Sequence, residues 1–113
     1  MAAPRIDFIE LPASGTLEMQ RFYGTAFGWD FTAFGPSYAC TMTGDVDVGF
    51  QADPTEKTQA ILPAIRVDDL DAVLAEVEQA GGSITKPVFD FPGGRRFHFL
   101  DPAGNELAAY QGE

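Results

Sequence analysis

The sequence has little positive charge, a single cysteine and no long apolar run. Seven lysines and arginines stand against seventeen aspartates and glutamates in 113 residues, a formal net charge of −10. That balance excludes a basic nucleic-acid footprint and repels large anionic partners. It favours cationic molecules, although acidity in a soluble protein needs no partner to explain it. With one cysteine, Cys40, no internal disulfide forms and no oxidising compartment is implied. Cys40 lies in the apolar run SYACTM and reads as a small core residue rather than a nucleophile. No apolar stretch approaches the roughly 20 residues of a membrane span, and no basic segment followed by an apolar one opens the chain. The expectation is a cytoplasmic protein with neither nucleic acid nor membrane as partner.

What is present argues for an ordered core. Hydrophobic residues make up 45% of the chain, ten of them phenylalanine. The length suits one domain and is too short for two independent cores.

The first strand-like run is RIDFIEL, Arg5–Leu11. A helix follows, with Ser14 or Thr16 as N-cap, extending to Phe27. Its face is Met19, Phe22, Tyr23 and Ala26, at i, i+3, i+4 and i+7. Gly28 suits a left-handed C-terminal cap. WDFTAF, YACTMT and VDVGFQA then read as three short strands separated by turns. DPTEKTQ is a polar linker containing Pro54. The pattern then starts again. AILPAIRV, Ala60–Val67, is strand-like, and Asp68 is a candidate helix cap with Asp69 and Asp71 in the first turn. Leu70, Val73, Leu74 and Val77 form the next helix face, AGG ends it, and SITKPV, RRFHFL and NELAAYQ give three more strands.

The chain therefore reads β-α-β-β-β twice. The fold class expected is α+β, with two such modules in one domain, residues 1–53 and 60–113 joined by 54–59. Two units together can cover one sheet face with helices and curl the other into a cup.

Three segments carry a resemblance to a known family: FYGTAFGW (Phe22–Trp29), IRVDDLDAVLAEVEQAGG (Ile65–Gly82) and FLDPAGNELAAYQ (Phe99–Gln111). In their order and spacing they resemble the vicinal oxygen chelate superfamily, which includes glyoxalase I, extradiol dioxygenases, and bleomycin- and fosfomycin-resistance proteins. The resemblance implies the paired-module cup. In the family's enzymes it also implies a divalent metal held by His, Gln or Glu on the first and last strands of each module. Carried onto this sequence, those positions are Phe8, Leu62 and Ala108, with Val48 or Gly49 as the fourth. None of these side chains binds a metal ion, so no metal and no cofactor is expected.

Strand alternation puts Ile6, Phe8 and Glu10 on the cup side of the first strand. It puts Leu62, Ala64 and Arg66, and then Glu106, Ala108 and Tyr110, on the cup side of their strands. Ile9, Leu11, Ile65, Val67, Leu107 and Ala109 suit the helix side. The candidate ligand-binding residues are Phe8, Glu10, Tyr38, Phe50, Leu62, Arg66, His98, Glu106, Ala108 and Tyr110.

Each has a bland alternative. His98 is either a general base or displaced ligand, or an ordinary strand histidine with no partner. Glu10 and Glu106 are either an acid–base pair or solvated rim carboxylates. Arg66 either recognises an anion or pairs with one of those glutamates. Arg95 and Arg96 follow FPGG, read as a flexible loop, and either clamp an anion or are solvated. FDFPGG resembles the mobile loop of the superfamily. Trp29, Tyr38 and Phe50 are stacking candidates whose default is core packing.

The leading expectation is metal-independent binding of a small, partly apolar molecule by a homodimer. The alternative is a metal-dependent lyase or dioxygenase of the glyoxalase class using ligands such as His98, Glu10 and Glu106. A third reading is a module whose only partner is another protein.

Overall fold

The computed structural model describes residues 3–113. The elements run β1 (Arg5–Pro12), α1 (Thr16–Phe27), β2 (Thr32–Ala33), β3 (Tyr38–Cys40), β4 (Asp47–Gln51), β5 (Leu62–Arg66), α2 (Leu70–Gln79), β6 (Ser83–Phe91), β7 (Gly94–Leu100) and β8 (Glu106–Gly112). The fold is α+β, and β-α-β-β-β occurs twice. The described residues form two compact units, 8–62 and 3–7 with 63–113. β1 therefore begins in one unit and continues in the other.

In the first unit, β1 runs parallel to β4, with Glu10 opposite Gly49 and Leu11 opposite Phe50. β3 pairs antiparallel with β4, and β2 with β3. Alternation gives the sheet two chemically distinct faces. One face packs on α1 through Ala39 and Phe50, with Leu11, Met19, Tyr23, Phe31 and Val48 around them.

The helix is seated by Met19 and Tyr23, not by the phenylalanines beside them. Phe22 and Phe27 are 61% and 60% exposed, and Ala26 is exposed too, so they do not anchor α1 to the sheet. The aromatic side chains layer outward instead. Tyr23 stacks on Phe50 at 5.6 Å, and Trp29 and Phe27 stack on Tyr23 at 5.5 and 6.0 Å. The N-cap is Gly15, which supplies no side-chain bond, rather than Ser14 or Thr16. Gly28 does take the left-handed conformation, φ 72°, and its N–H bonds Gly24 O at 2.9 Å.

In the second unit, β5 runs parallel to β8, which pairs antiparallel with β7, and β7 with β6. Val67, Leu70, Phe97 and Ala109 form its core, with Ile65, Val73, Leu74, Val77 and Phe99 packed around them. Asp69, not Asp68, caps α2 and accepts from Ala72 N at 3.1 Å.

The segment read as a mobile loop is a hairpin. Phe89 and Asp90 lie in β6 opposite Arg96 and Arg95, and only Pro92 and Gly93 turn the chain. The Asp-Pro-Ala-Gly-Asn turn has Gly104 at φ 86°. Asn105 does not take positive φ there. Its amide donates to Asp101 Oδ2 at 3.0 Å, and the backbone N–H groups of Ala103 and Asn105 donate to Oδ1.

Candidate functional site

The sheet faces that turn away from the helices carry the polar groups. In the first unit, the residues alternating with the α1 contacts are Phe8 and Glu10 on β1, Gly49 on β4, and Tyr38 and Cys40 on β3. Val48 packs toward α1, so Gly49 is the position that shares a face with Phe8 and Glu10. A Cβ at Gly49 would lie 2.6 Å from the Tyr38 hydroxyl and 2.7 Å from Phe8 Cζ. The phenyl ring and the phenol thus occupy the space where a side chain at 49 would grow.

Phe50 does not belong to this face. It is fully buried against α1, because its parity in β4 is opposite to that of Gly49. Glu10 is not a solvated rim carboxylate, being only 2% exposed and accepting a hydrogen bond from Tyr38 Oη at 3.0 Å. Tyr38 therefore meets Glu10 through its hydroxyl rather than its ring. Cys40 is buried, and burial together with the Asp47 charge pushes its thiol pKa up, which keeps it protonated.

In the second unit, Ala64 and Arg66 on β5 lie opposite Ala108 and Tyr110 on β8, and β7 adds His98 and Arg96 beyond them. Two polar groupings form. Tyr110 donates its hydroxyl proton to Asp7 Oδ1, while Arg66 Nη1 lies 3.5 Å from the same hydroxyl. Burial, followed by the bond to Asp7, raises the Tyr110 pKa. The Tyr110 hydroxyl also raises that of Arg66. Arg66 thus bonds a phenol rather than Glu106.

The second grouping is His98 with Glu106. His98 Nδ1 lies 2.9 Å from Glu106 Oε2, and His98 is 0% exposed. It is a buried, carboxylate-bonded imidazole rather than a partnerless strand histidine. Glu106 is 32% exposed through its side chain and also accepts from Thr85 Oγ1 at 3.3 Å. Burial lowers the His98 pKa, against the opposing bond to Glu106. Arg95 is not a loop charge but a strand residue bonded to Asp71 at 3.1 Å. The Arg96 guanidinium lies 5.1 Å from the centre of the Phe89 ring and 5.6 Å from that of Phe91.

Phe8, Glu10 and Tyr38 thus meet in one unit. Arg66 and Tyr110 meet in the other, as do His98, Glu106 and Ala108. Leu62 is buried at the start of β5. Asp7, Lys86, Phe89 and Phe91 were not candidates from sequence. The aromatic pair lay inside the segment read as a loop. The Asp7–Tyr110 bond spans 103 residues, and no local pattern signals it.

Residues 5–109 match the sequence profile of the Glyoxalase/Bleomycin resistance protein/Dioxygenase superfamily. The chain belongs to that superfamily. It is 27% identical over 116 residues to the "Putative glyoxylase CFP32" of Mycobacterium tuberculosis, covering 93% of this chain. It spans 44% of that relative's length, so the whole relative's activity does not transfer. Among solved structures, the hypothetical protein BH1468 from Bacillus halodurans superposes with a TM-score of 0.82 at 14% identity, covering 99% of this chain and 96% of that one. A superfamily member from Vibrio splendidus gives 0.70 at 16% identity, covering 96% and 99%. At such identities these likenesses establish the fold alone.

The superfamily's divalent ion does not fit these residues. Phe8, Leu62, Gly49 and Ala108 bear no donor atom, and the ring of Phe8 lies over Gly49. Among the described residues, no group of three or more His, Cys, Asp and Glu side chains could hold a metal.

Proposed function

We propose that this chain binds a small, partly apolar molecule on a helix-free sheet face without a resident divalent metal. The observation that carries this reading is the filling of the Gly49 position by Phe8 and Tyr38. A ligand strand whose side-chain space is occupied by a phenyl ring serves as a wall, not as a coordination site. The face combines apolar surface with a few directed polar groups, as small-molecule sites do. In the first unit that face offers Phe8 beside Glu10 and Tyr38, and in the second it offers Ala64 and Ala108 beside Arg66, His98 and Tyr110.

The protein acts as a homodimer in this reading. The exposed Phe22, Phe27 and Trp29, linked through ring contacts with Tyr23, support a contact surface, since contiguous exposed aromatics mark interaction sites. The lone buried cysteine suits a reducing cytoplasm.

A thermal-shift screen of small aromatic and amphiphilic compounds, run with and without chelator, tests the reading. Stabilisation by at least one compound, unchanged by chelator, is expected, and the same sample should sediment at twice the chain mass. A screen in which ligands stabilise only when a divalent ion is supplied overturns the reading in favour of a metal-dependent enzyme. A monomer overturns the homodimer.

A further inference from the structure

The outer face of α1 carries balanced charge in an acidic chain. Met19 and Tyr23 seat the helix on its sheet and Thr16 is buried, so the helical period turns Leu17, Glu18, Arg21, Phe22 and Thr25 outward. All five are exposed, Leu17 to 65% and Phe22 to 61%. Phe22 is nevertheless held, because its ring meets that of Tyr23 edge-on at 5.0 Å. A side chain ordered before contact loses little freedom when it is buried.

Charge decides which partner suits this face. It holds one acid, Glu18, and one base, Arg21, in a chain of formal charge −10. α2 by contrast carries Asp71, Glu76 and Glu78 with no base of its own, and Arg95 of β7 meets Asp71. Two copies of so acidic a chain repel each other at long range, and a contact through α2 would set carboxylates against carboxylates. A contact through α1 does not. Among the described residues, Glu18 and Arg21 form no ion pair with each other or with another side chain. They stand three residues apart, about 4.5 Å along the helix axis, which is within the span of an arginine side chain. A two-fold contact presents the same surface from both sides, so it sets Glu18 of each copy against Arg21 of the other. Leu17 and Phe22 flank those pairs with apolar surface. A partner charged with one sign alone would meet a like charge on this face.

We propose that two copies of this chain associate by packing α1 against α1, with Glu18 of each copy paired to Arg21 of the other and Leu17 and Phe22 buried around the pairs. This rests on the homodimer reading and assigns the face that makes it.

Sedimentation equilibrium of the full chain tests this. Glu18→Arg sets base against base across the contact, and Arg21→Glu sets acid against acid. Each alone should weaken dimerisation about tenfold, because the two-fold axis counts every change twice. An equal mixture of the two variants makes heterodimers in which both pairs are again of opposite sign. That mixture should dimerise within a few fold of the unsubstituted chain, and so should the chain carrying both substitutions. A dimer that both single variants leave unchanged would overturn the inference and leave the homodimer intact. So would a mixture no tighter than either variant alone. A monomeric unsubstituted chain would overturn the homodimer and this inference with it. Both positions are exposed, and far-UV circular dichroism of each variant separates loss of folding from loss of contact. Recovery in the mixture comes only from chains that are folded, so the comparison holds for either variant.

Discussion

At the scale of single residues, position 49 explains most about this molecule. Glycine stands there because the Phe8 ring and the Tyr38 hydroxyl have taken the space above it. Gly49→Ala forces both to shift, and overpacking of this kind costs about 1–3 kcal/mol. Urea unfolding should show that loss. Combining Gly49→Ala with Phe8→Leu should recover part of it, because the smaller side chain relieves the clash. Strictly additive losses would mean that the two side chains do not compete.

His98 gives a second prediction at this scale. Its folded pKa lies below the ordinary 6.5, because burial disfavours the charged ring. The unfolded chain therefore binds a proton more readily than the folded one. Stability is complete above pH 6.5 and falls as pH drops from there toward the folded pKa. Glu106 opposes this trend, while Lys86 and Arg96 reinforce it. His98→Gln should abolish the slope in that window. The distinct loss from Asp47 should remain, because its pKa is lowered from 3.8 and matters only in stronger acid. There burial raises that pKa, but the hydrogen bonds from Thr41, Thr43 and Gly44 outweigh it. A slope unchanged in His98→Gln would remove His98 as its source.

At the scale of elements, the two helices repeat a plan but not its details. α2 has a side-chain cap, Asp69, and α1 has only Gly15. Asp69→Ala should destabilise the protein by about 1 kcal/mol, while Gly15→Ser should stabilise it by a few tenths. Chemical denaturation of both variants checks this. Equal losses would mean that capping does not distinguish the helices. Gly15 tolerates the change, being extended at φ −159° with no close neighbour to a Cβ.

The same elements show what sequence reasoning reaches. Periodicity placed both helices and the apolar parity of β1, β5 and β8, because alternation along a half-covered strand leaves a pattern in the residues themselves. It misassigned Phe22 and Ala26, which are exposed. A helical face at i, i+3, i+4 and i+7 is wider than the strip that touches a short sheet, so only Met19 and Tyr23 reach the core. It also took FDFPGG for a loop, since glycine and proline mark tight hairpins and flexible loops alike. Glu10 was read as solvated because carboxylates usually are. Its burial with Tyr38 depends on a contact 28 residues away. The His98–Glu106 bond was closer to hand, because β7 and β8 adjoin through the Asp-Pro-Ala-Gly-Asn turn, but side-chain reach across that turn is not a sequence pattern.

At the scale of the whole molecule, membership of the Glyoxalase/Bleomycin resistance protein/Dioxygenase superfamily settles the fold and leaves chemistry to the site. The chain's net charge of −10 favours cationic molecules but needs no partner to explain it. The proposed site is one in which Phe8 and Gly49, at positions where the superfamily's enzymes hold a metal, form wall instead. Its most direct test is the metal content of the protein after reconstitution with zinc, nickel, manganese and ferrous iron under anaerobic conditions, followed by gel filtration. The account predicts far less than one ion per chain for every metal, with ligand-induced stabilisation unaffected by chelator. One tightly held ion per chain, removed by chelator together with ligand binding, would contradict it.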